Sequence, residues 1–571
     1  MRPKQWRFAP PAPPTFFTAF PDLPWPLAQT LFNRGYTDPA LARAFLNSDG
    51  LETNPFAMRG MQEAVRRLRD AIRRGEPIAV YGDYDVDGVT ETALLVHALH
   101  ALGASVKPYI PDRFEEGYGV NQNALEKLAQ DGFKVVVTVD CGIRSQVETI
   151  HGRKLGLDII ITDHHEPAEP LPAAHAILCP RQTRCFYPTK TLAGVGLAYK
   201  LAQALFMVEE GTPLGKRRGD LHPDDLLDLV ALGTVADMAP LTQENRRLVR
   251  EGLAIVNQTR RLGLRALFKL ARIEPGHIGV DTLSYIVGPR LNAAGRLEHA
   301  MISYNLLMTA KPGKAEALAA KLEEQNRQRQ AMTEQTLGIA RDHALRQVDH
   351  SRLIFVAAPD YPAGVVGLVA NRLMEEYYRP AVVVELGEEE SRGSMRSIPE
   401  FSAVDALDEV RDLLRKHGGH RAAAGFTVRN EHLRELEARL RAYVDSHLNG
   451  LPTPTLEIDA IVPLGEVQPP VLSALERMAP FGQHNSPPML ASLGLAVREA
   501  RVVGTNHLKL LLSDAHGDTR EAIAFRQAEW LTQLPQMIDI AYQVEPNRWN
   551  GSTHLQMNVR DIRPANGHPT P

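Results

Sequence analysis

Three aspartates alternate with other residues in one short segment of the chain. Asp83, Asp85 and Asp87 lie between Gly82 and Gly88. Alternate residues of an extended backbone point to one face, and a loop could also bring them together. Three carboxylates this close cannot all ionise cheaply in a partly desolvated pocket unless cations neutralise them. The spacing therefore favours divalent metal binding, and oxygen-rich ligands suit Mn²⁺ or Mg²⁺ better than zinc.

More acids and imidazoles follow apolar runs elsewhere in the sequence. Asp140 follows one such run, and His164 and His165 come directly after Asp163 at the end of another. Asp237 ends a later apolar stretch, which is a candidate for a fourth strand end. These side chains are enough to hold two metal ions about 4 Å apart, an arrangement that hydrolyses phosphoesters. The sequence therefore predicts a catalytic metal site.

Other interpretations of these segments compete with catalysis. The aspartates could form a calcium loop, but counting Asp83 as position 1 puts Leu94 where that loop needs a glutamate. The histidine pair taken alone could be a helix cap with surface imidazoles. Cys141 is interpreted as a small buried residue rather than a nucleophile. Acids that recur at the ends of several apolar runs favour the metal site over these alternatives.

The elements that must position these residues are short strands. The runs 78–81, 135–139 and 159–161 are apolar, strand-sized and separated by helical patterns, as is typical of a parallel α/β sheet. Open parallel sheets place their active sites at the carboxyl ends of the strands. We therefore expect the acids and histidines to meet at one edge of one sheet.

The rest of the chain predicts further domains. A long helical pattern runs from about Lys311 to Arg346, and a second α/β pattern continues to about Asn449. Alternating segments after Thr455, with a turn at 514–518, indicate a small β-barrel. The expected fold class is α/β, divided into an N-terminal extension at 1–45, a metal-bearing domain at 46–275, a connector with a long helix at 276–346, a second α/β domain at 347–450 and a β-barrel at 455–567.

Composition excludes several classes of protein. The 571 residues include only 3 Cys, too few for a disulfide scaffold, and we expect a soluble cytoplasmic protein. The formal net charge of -4 gives no hint of a nucleic-acid partner, but it sums unlike regions. Residues 260–300 hold 7 Lys+Arg against 3 Asp+Glu, whereas acids are concentrated at Asp83, Asp85, Asp87 and Glu91.

The motifs resemble those of a known group of enzymes. Four segments are similar to motifs I to IV of the DHH phosphoesterase superfamily: GDYDVDGVT from Gly82, VTVDCG from Val137, TDHH from Thr162 and ALGTVADMAPL from Ala231. Four more resemble the RecJ family of bacterial single-strand exonucleases: LAGVGLAYKLAQAL from Leu192, GPRLNAAGR from Gly288, GSMRSIPEF from Gly393 and GGHRAAAGF from Gly418. The likeness covers about residues 46 to 565.

This resemblance implies a reaction and its residues. It implies a metal-dependent exonuclease that releases 5′-mononucleotides stepwise from the 5′ end of single-stranded DNA, in recombination and repair. Two Mn²⁺ or Mg²⁺ ions would be held by Asp83, Asp85, Asp87, Asp140, His164 and Asp237. Asp140 would bridge the ions, and it would share the catalytic work with His164 and His165. His165 would contact the scissile phosphate as an electrostatic or acid catalyst.

The resemblance also implies a DNA-binding surface and partners. The second α/β domain is similar to the DHHA1 domain, where Ser394, Arg396 and Ser397 would grip the 5′-terminal phosphate. Arg113, Arg290, Asn292 and Arg296 would contribute from the other wall, and His420 would lie on the substrate side. The barrel resembles an OB domain, with DNA contacts at Lys509, Arg520, Arg526, Trp549 and Arg560. Expected partners are single-stranded DNA, a RecQ-type helicase and a single-strand-binding protein; the chain is expected to be a monomer without membrane contact.

Two departures and two other functions stay open. Many relatives have histidine where this chain has Tyr81, so metal ligation at this position is in question. Relatives also often have a Trp-His pair near the position of Tyr361, so substrate stacking there is in question. One alternative function is a phosphodiesterase for oligoribonucleotides or cyclic dinucleotides. Another is a non-catalytic single-strand-binding subunit. The barrel favours a long polymer, and the intact acids disfavour a protein without activity.

Overall fold

A computed structural model of the chain describes residues 4–48, 52–113, 115–117, 119–348, 350–549 and 552–565. The chain divides into two compact units, one of residues 53–452 and one of residues 1–52 together with 453–571. In those described parts, no helix combines the length and the apolar character needed to cross a membrane.

The chain begins with elements of the second unit. They are, in order, β1 (Gln5–Phe8), α1 (Pro14–Thr18), α2 (Trp25–Asn33) and α3 (Pro39–Asn47).

A five-stranded parallel sheet follows and forms the first half of the larger unit. Its strands are β2 (Ile78–Tyr81), β3 (Val106–Tyr109), β4 (Val135–Val139), β5 (Asp158–Thr162) and β6 (Ala176–Leu178), in the spatial order β3-β2-β4-β5-β6. Every residue of β2 and β4 is buried, because helices cover both faces of a parallel sheet. The helices are α4 (Met61–Arg74), α5 (Val86–Ala101), α6 (Gln122–Gln130), α7 (Gln146–Lys154), α8 (Gly194–Gly211), α9 (Leu227–Ala236), α10 (Gln243–Asn257) and α11 (Leu262–Ala271).

The apolar stretch before Asp237 is a helix and not a fourth strand. It is α9, whose residues are buried from Leu227 to Val235. A helix that is buried all round has no polar face, so its sequence lacks the helical period and reads like a buried strand. Asp237 therefore reaches the sheet edge from the end of a helix.

A helical connector joins the two halves of the larger unit. It comprises α12 (Val280–Thr282), a π-helical turn (Leu283–Val287), α13 (Gly288–Leu297), α14 (Met301–Met308) and α15 (Pro312–Leu345). The long connecting helix predicted from the sequence is confirmed as α15, with 34 residues.

A mixed sheet forms the second half. Its strands are β7 (Ile354–Ala358), β8 (Ala381–Glu385), β9 (Glu390–Arg396), β10 (Leu414–Gly419) and β11 (Ala423–Arg429), in the spatial order β10-β11-β9-β8-β7. Only β7 and β8 pair in parallel. The accompanying helices are α16 (Val366–Tyr377), α17 (Ala403–Glu409) and α18 (Leu433–His447).

The predicted C-terminal barrel is confirmed. Strand β12 (Thr455–Ile458) precedes the barrel and lies outside its sheet. The barrel sheet consists of β13 (Ala460–Ile461), β14 (Leu490–Val503), β15 (His507–Ser513), β16 (Thr519–Ala524), β17 (Met537–Trp549) and β18 (Ser552–Pro564), and α19 (Pro469–Glu476) follows β13 in the chain. The barrel closes because β14 pairs with both β15 and β17. Short 3₁₀ turns occur at Pro55–Ala57, Pro223–Leu226, Arg411–Leu413, Asn430–His432, Leu464–Glu466 and Ala528–Thr532.

The N-terminal residues pack with this barrel. Strand β1 pairs in parallel with β12, with Gln5 opposite Thr455. Leu27 of α2 and Leu508 of β15 belong to one buried cluster. Helices α1 to α3 thus bury their apolar faces against a partner more than 400 positions away, which their own sequence does not reveal.

Candidate metal centre and nucleic-acid interface

The strands that end in acids are neighbours in the first sheet. Tyr81 at the end of β2 lies opposite Thr138 of β4, and Val139 lies opposite Thr162 at the end of β5. Because the three strands are parallel, the residues that follow them emerge at the same edge. The loop of three aspartates, then Asp140, and then the Asp-His-His segment are therefore brought together.

The loop after β2 is held in a tight turn. Asp85 caps α5 by accepting a hydrogen bond from the Gly88 amide at 3.1 Å. A Cβ at Gly88 would lie 2.7 Å from the backbone nitrogen of Asp83, so glycine lets the two backbones approach closely. The carboxylate of Asp87 accepts hydrogen bonds from the amides of Gly194 and Val195, both at 3.1 Å. The N-terminus of α8 thus supports the charge on Asp87.

Asp140 lies at the middle of the cluster. Its backbone has a φ of 60°, a left-handed conformation that is uncommon for residues other than glycine and that concentrates at functional sites. One oxygen of Asp140 lies 3.1 Å from Nε2 of His164. The other ring nitrogen of His164 lies 3.8 Å from the carboxylate of Asp237.

The side chains form four overlapping groups that could hold a metal ion. In each group the potential ligand atoms lie within 4.8 Å of one another, and the groups are Asp83–Asp85–Asp140, Asp87–His164–Asp237, Asp140–His164–His165 and Asp87–Glu91–Asp140. All six metal ligands expected from the sequence fall in these groups. Among the described residues, buried carboxylate atoms such as Oδ1 of Asp83 have no hydrogen-bond partner, and bound cations would supply one. The donor set of carboxylates and imidazole fits Mn²⁺ or Mg²⁺.

The electrostatics of the centre show the same need for positive charge. Burial, reinforced by the charge of Asp85, raises the pKa of Asp87 to about 7. The pKa values of Asp83, Asp140 and Asp237 are raised well above their ordinary range for the same reasons, burial first and neighbouring carboxylates second. Burial lowers the pKa of His164 to about 3, so His164 is neutral and free to bind a metal.

His165 differs from His164 because Asp163 holds it. Burial opposes a positive charge on His165, but its hydrogen bond with Asp163 and the surrounding acids outweigh that effect and raise its pKa. The sequence interpretation did not give Asp163 a role. Its only signal was its place at the start of the Asp-His-His run.

On the side of the second sheet, polar groups gather at the end of β9. One guanidinium nitrogen of Arg396 donates to Oγ of Ser394 at 2.8 Å. The hydroxyl of Ser397 is buried and has no hydrogen-bond partner in the described part of the chain. A Cβ at Gly367 would lie 2.9 Å from Arg396 Nη2, so glycine there leaves room for the guanidinium. This end of β9 offers hydroxyls and a guanidinium suited to phosphate.

Arginines of the first half face the same region. Burial and the charges of Arg113, Arg329 and Arg396 lower the pKa of Arg296 to about 10. Three guanidiniums thus act on Arg296, and positive charge gathered in this way favours an anion. Arg296 donates to the carbonyl of Gly364 at 3.2 Å.

The remaining candidates have other partners. Arg290 forms an ion pair with Glu323 at 2.6 Å and donates to the Ile286 carbonyl, so two of its nitrogens serve the connector. Asn292 accepts a hydrogen bond from the Val86 amide at 3.1 Å and thereby supports the aspartate loop.

His420 and Arg113 lie beside the candidate centre. The ring of His420 is parallel to that of His165, with centroids 5.8 Å apart and an interplanar angle of 8°. The guanidinium of Arg113 lies over the ring of Tyr84, 4.9 Å from its centroid. Tyr84 itself belongs to the aspartate loop.

The two tyrosines that depart from the family pattern, Tyr81 and Tyr361, are buried and have partners outside the candidate metal groups. The hydroxyl of Tyr81 donates to the Gly119 carbonyl at 3.0 Å and is buried, and Tyr361 is buried with its hydroxyl 3.1 Å from His343 Nδ1. Cys141 is buried, with a pKa raised by that burial.

Most barrel candidates already have partners. Lys509 pairs with Glu521, Arg520 donates to the Val467 carbonyl, and Arg560 contacts Gln543. Arg526 is exposed, with a φ of 57°. The side chain of Trp549 lies outside the described residues.

Comparisons with known proteins cover nearly the whole chain. Residues 77–234 match the DHH family, N-terminal domain, residues 350–446 match the DHHA1 domain, and residues 458–561 match the RecJ OB domain. The single-stranded-DNA-specific exonuclease RecJ of Bacillus subtilis is 38% identical over 547 residues, which are 94% of this chain and 67% of the relative. The RecJ of Escherichia coli is 34% identical over 88% of this chain and 90% of the relative.

A solved RecJ structure is also similar to this chain in its three-dimensional fold. The crystal structure of RecJ from Thermus thermophilus in complex with Mn²⁺ superimposes with a TM-score of 0.85 and 30% sequence identity, and it covers 99% of this chain and 80% of that chain. The structure of the same protein in complex with Mg²⁺ gives a TM-score of 0.79.

Proposed function

Because the chain belongs to the RecJ family of DHH-domain proteins, we propose that it is a metal-dependent exonuclease that degrades single-stranded DNA from the 5′ end to 5′-mononucleotides. The observation that carries this proposal is the convergence of six metal-ligand candidates and His165 at one sheet edge. The Mn²⁺ and Mg²⁺ complexes of the Thermus relative support either metal as the cofactor.

We assign the metal-binding role to Asp83, Asp85, Asp87, Asp140, His164 and Asp237. Two divalent cations held by these residues would supply an activated water molecule and would neutralise the charge that develops on the phosphate. The chain contributes fixed geometry, since the amides at the start of α8 orient Asp87 and Asp140 sits within reach of most of the other ligands. His164, neutral through burial, can offer a lone pair from its ring.

His165 supplies the proton chemistry in this assignment. Its raised pKa, maintained by Asp163, favours the protonated ring. A protonated ring can stabilise charge on the scissile phosphate, or donate its proton to the oxygen that leaves. The parallel ring of His420 forms part of the surroundings of His165 on the substrate side.

Cleavage from the 5′ end is supported by the anion site near β9. Ser394, Arg396 and Ser397 can hold a terminal phosphate, and Arg296 and Arg113 add positive charge to the same region. A pocket that binds one terminal phosphate sets the register of the strand, so each cycle releases one nucleotide. We assign Arg290 and Asn292 a supporting part, because their described contacts are within the protein.

We further propose domain roles and partners. The DHH part at 46–275 carries the chemistry, the connector at 276–346 leads to the phosphate-gripping part at 347–450, and the barrel at 455–567 holds the strand. A single-strand exonuclease requires that duplex be unwound, which supports cooperation with a helicase and a single-strand-binding protein. We propose a cytoplasmic location, supported by three free cysteines, and a monomeric state. Co-purification and light scattering test these assignments.

In the decisive experiment, the protein is incubated with 5′-labelled or 3′-labelled single-stranded DNA in the presence of Mn²⁺ or Mg²⁺. RNA, duplex DNA and a cyclic dinucleotide are tested in parallel. We expect labelled mononucleotide to be released first from the 5′-labelled strand only. Asp140→Ala should abolish the activity. If the protein binds DNA and leaves every substrate intact, the enzymatic assignment is wrong. If it cleaves RNA or the cyclic dinucleotide in preference to DNA, that molecule and not single-stranded DNA is its substrate.

A further inference from the structure

A buried glutamate lies next to the proposed metal ligands. Glu91 is one helical turn after Asp87 on α5, and none of its side chain is exposed. Among the described residues, neither of its carboxylate oxygens has a hydrogen-bond partner. A buried polar group is normally paired, and a buried carboxylate especially so. Glu91 therefore requires a partner that amino-acid side chains do not supply.

The surroundings of Glu91 are acidic. Asp87, Glu91 and Asp140 each place one carboxylate oxygen within 4.8 Å of the others, and all three residues are buried. Burial, followed by the negative charges of Asp87 and Asp163, raises the pKa of Glu91 well above its usual range. Because the neighbours of Glu91 in this group are acidic, a partner that keeps Glu91 ionised is a cation that enters the site.

The start of helix α8 leaves room for the side chain of Glu91. Helix α8 begins against it, and a Cβ at Gly194 would collide with Oε1 of Glu91 and lie 2.8 Å from Oδ2 of Asp87. The free amides at the start of α8 are directed to Asp87 and not to Glu91. Glycine at the start of α8 thus accommodates both carboxylates side by side, while the hydrogen bonds satisfy only one of them.

We propose that Glu91 is a further metal ligand, which holds a divalent cation together with Asp87 and Asp140 on the inner side of the cluster. The inference rests on the metal assignment in the proposed function and extends it by one residue. Three carboxylates at this separation match the preference of Mn²⁺ and Mg²⁺ for oxygen ligands. The added negative charge increases the affinity of the centre for its cation.

The test compares Mn²⁺ binding to the full-length wild type and to Glu91→Gln by isothermal titration calorimetry. Glutamine has nearly the same size but no charge, so we expect at least one Mn²⁺ to bind about tenfold more weakly. In EDTA the thermal midpoint of Glu91→Gln should equal or exceed that of the wild type, because an unpaired buried carboxylate is removed. Glu91→Asp, which keeps the charge but withdraws it by one methylene, should show an intermediate affinity.

The control is Glu209→Gln, a buried glutamate near the opposite end of α8 that pairs with Arg69 at 2.7 Å. It should leave the Mn²⁺ isotherm unchanged. If Glu91→Gln and the wild type bind Mn²⁺ equally, Glu91 is a neutral buried acid and the inference is wrong, whatever the enzyme does to DNA. If the wild type binds Mn²⁺ through Glu91 but degrades no DNA, the proposed function fails and the ligand assignment stands.

Discussion

Asp163 holds both the backbone and the ring of His165. Its Oδ1 accepts a hydrogen bond from the His165 amide at 3.0 Å and lies 2.8 Å from His165 Nδ1. Its Oδ2 accepts from the Ile143 amide at 2.9 Å, which anchors the carboxylate itself. One aspartate thereby fixes the position, the ring orientation and the proton affinity of the histidine we assign to proton chemistry.

Asp163→Asn should lower kcat on single-stranded DNA by about 10- to 100-fold, with little change in KM, because the ring of His165 loses its anionic partner. The pKa of His165 is raised by that partner, so without it the protonated ring is lost at lower pH. We expect the alkaline limb of the pH–kcat profile to move to lower pH. Steady-state rates from pH 6 to 10 measure both effects, and an unchanged profile would exclude His165 as the titrating group.

Arg396→Gln should weaken binding of 5′-phosphorylated single strands by about 10- to 100-fold, since a charge-assisted hydrogen bond contributes about 1.5–3 kcal/mol. A strand with a 5′-hydroxyl should lose much less. Competition binding with the two strands, without divalent metal, measures the difference.

Arg290→Gln is the matched control for that experiment. Arg290 pairs with Glu323 of α15, so its loss should lower the thermal midpoint while the preference for a 5′-phosphate remains. If Arg290→Gln abolished the preference and Arg396→Gln kept it, the assignment of the phosphate site would be reversed.

Removal of metal should make stability depend on pH in a defined direction. The folded-state pKa of Asp87 is raised to about 7, above an unfolded value of about 3.9. A raised carboxyl pKa stabilises the fold fully below the unfolded value, and that stability is lost as pH rises through the folded value. In EDTA, raising the pH from 5 to 8 should therefore lower the thermal midpoint of the wild type more than that of Asp87→Asn. Saturating Mg²⁺ should remove the difference, and equal pH dependence in EDTA would contradict the raised pKa.

Asn245 should matter for metal affinity without touching the metal. Its side chain accepts a hydrogen bond from the Ala193 amide at 3.1 Å and donates to the Pro240 carbonyl at 3.1 Å. Ala193 precedes the amides that hold Asp87, and Pro240 follows Asp237 closely in the chain. Asn245→Ala should weaken Mn²⁺ binding and destabilise the fold by about 1–3 kcal/mol, because buried polar groups lose their partners. Calorimetry at a temperature where the variant is folded separates the two effects.

Local sequence patterns were sufficient for the elements of this fold that have a clear period. The strands at 78–81 and 135–139 and the long helix α15 lie where the sequence predicts them, and alternating strands follow Thr455 as expected. The apolar spacing of these elements is a local property. A strand buried on both faces, a helix with one apolar stripe and a strand with one buried face each have a characteristic pattern of neighbouring residues.

The sequence by itself determined the chemistry of this protein, because carboxylates and imidazoles that follow buried strands must meet at the carboxyl edge of a parallel sheet. Only the tertiary structure decided that Asp237 arrives from a helix, that Asp163 holds His165, and that Glu91 is buried without a hydrogen-bond partner among the residues the structure describes. The same is true of the packing of β1 against β12 and of α1 to α3 against the barrel. These relationships depend on packing between residues that are far apart in the chain. The spacing of apolar residues within one segment does not show which distant segment it packs against.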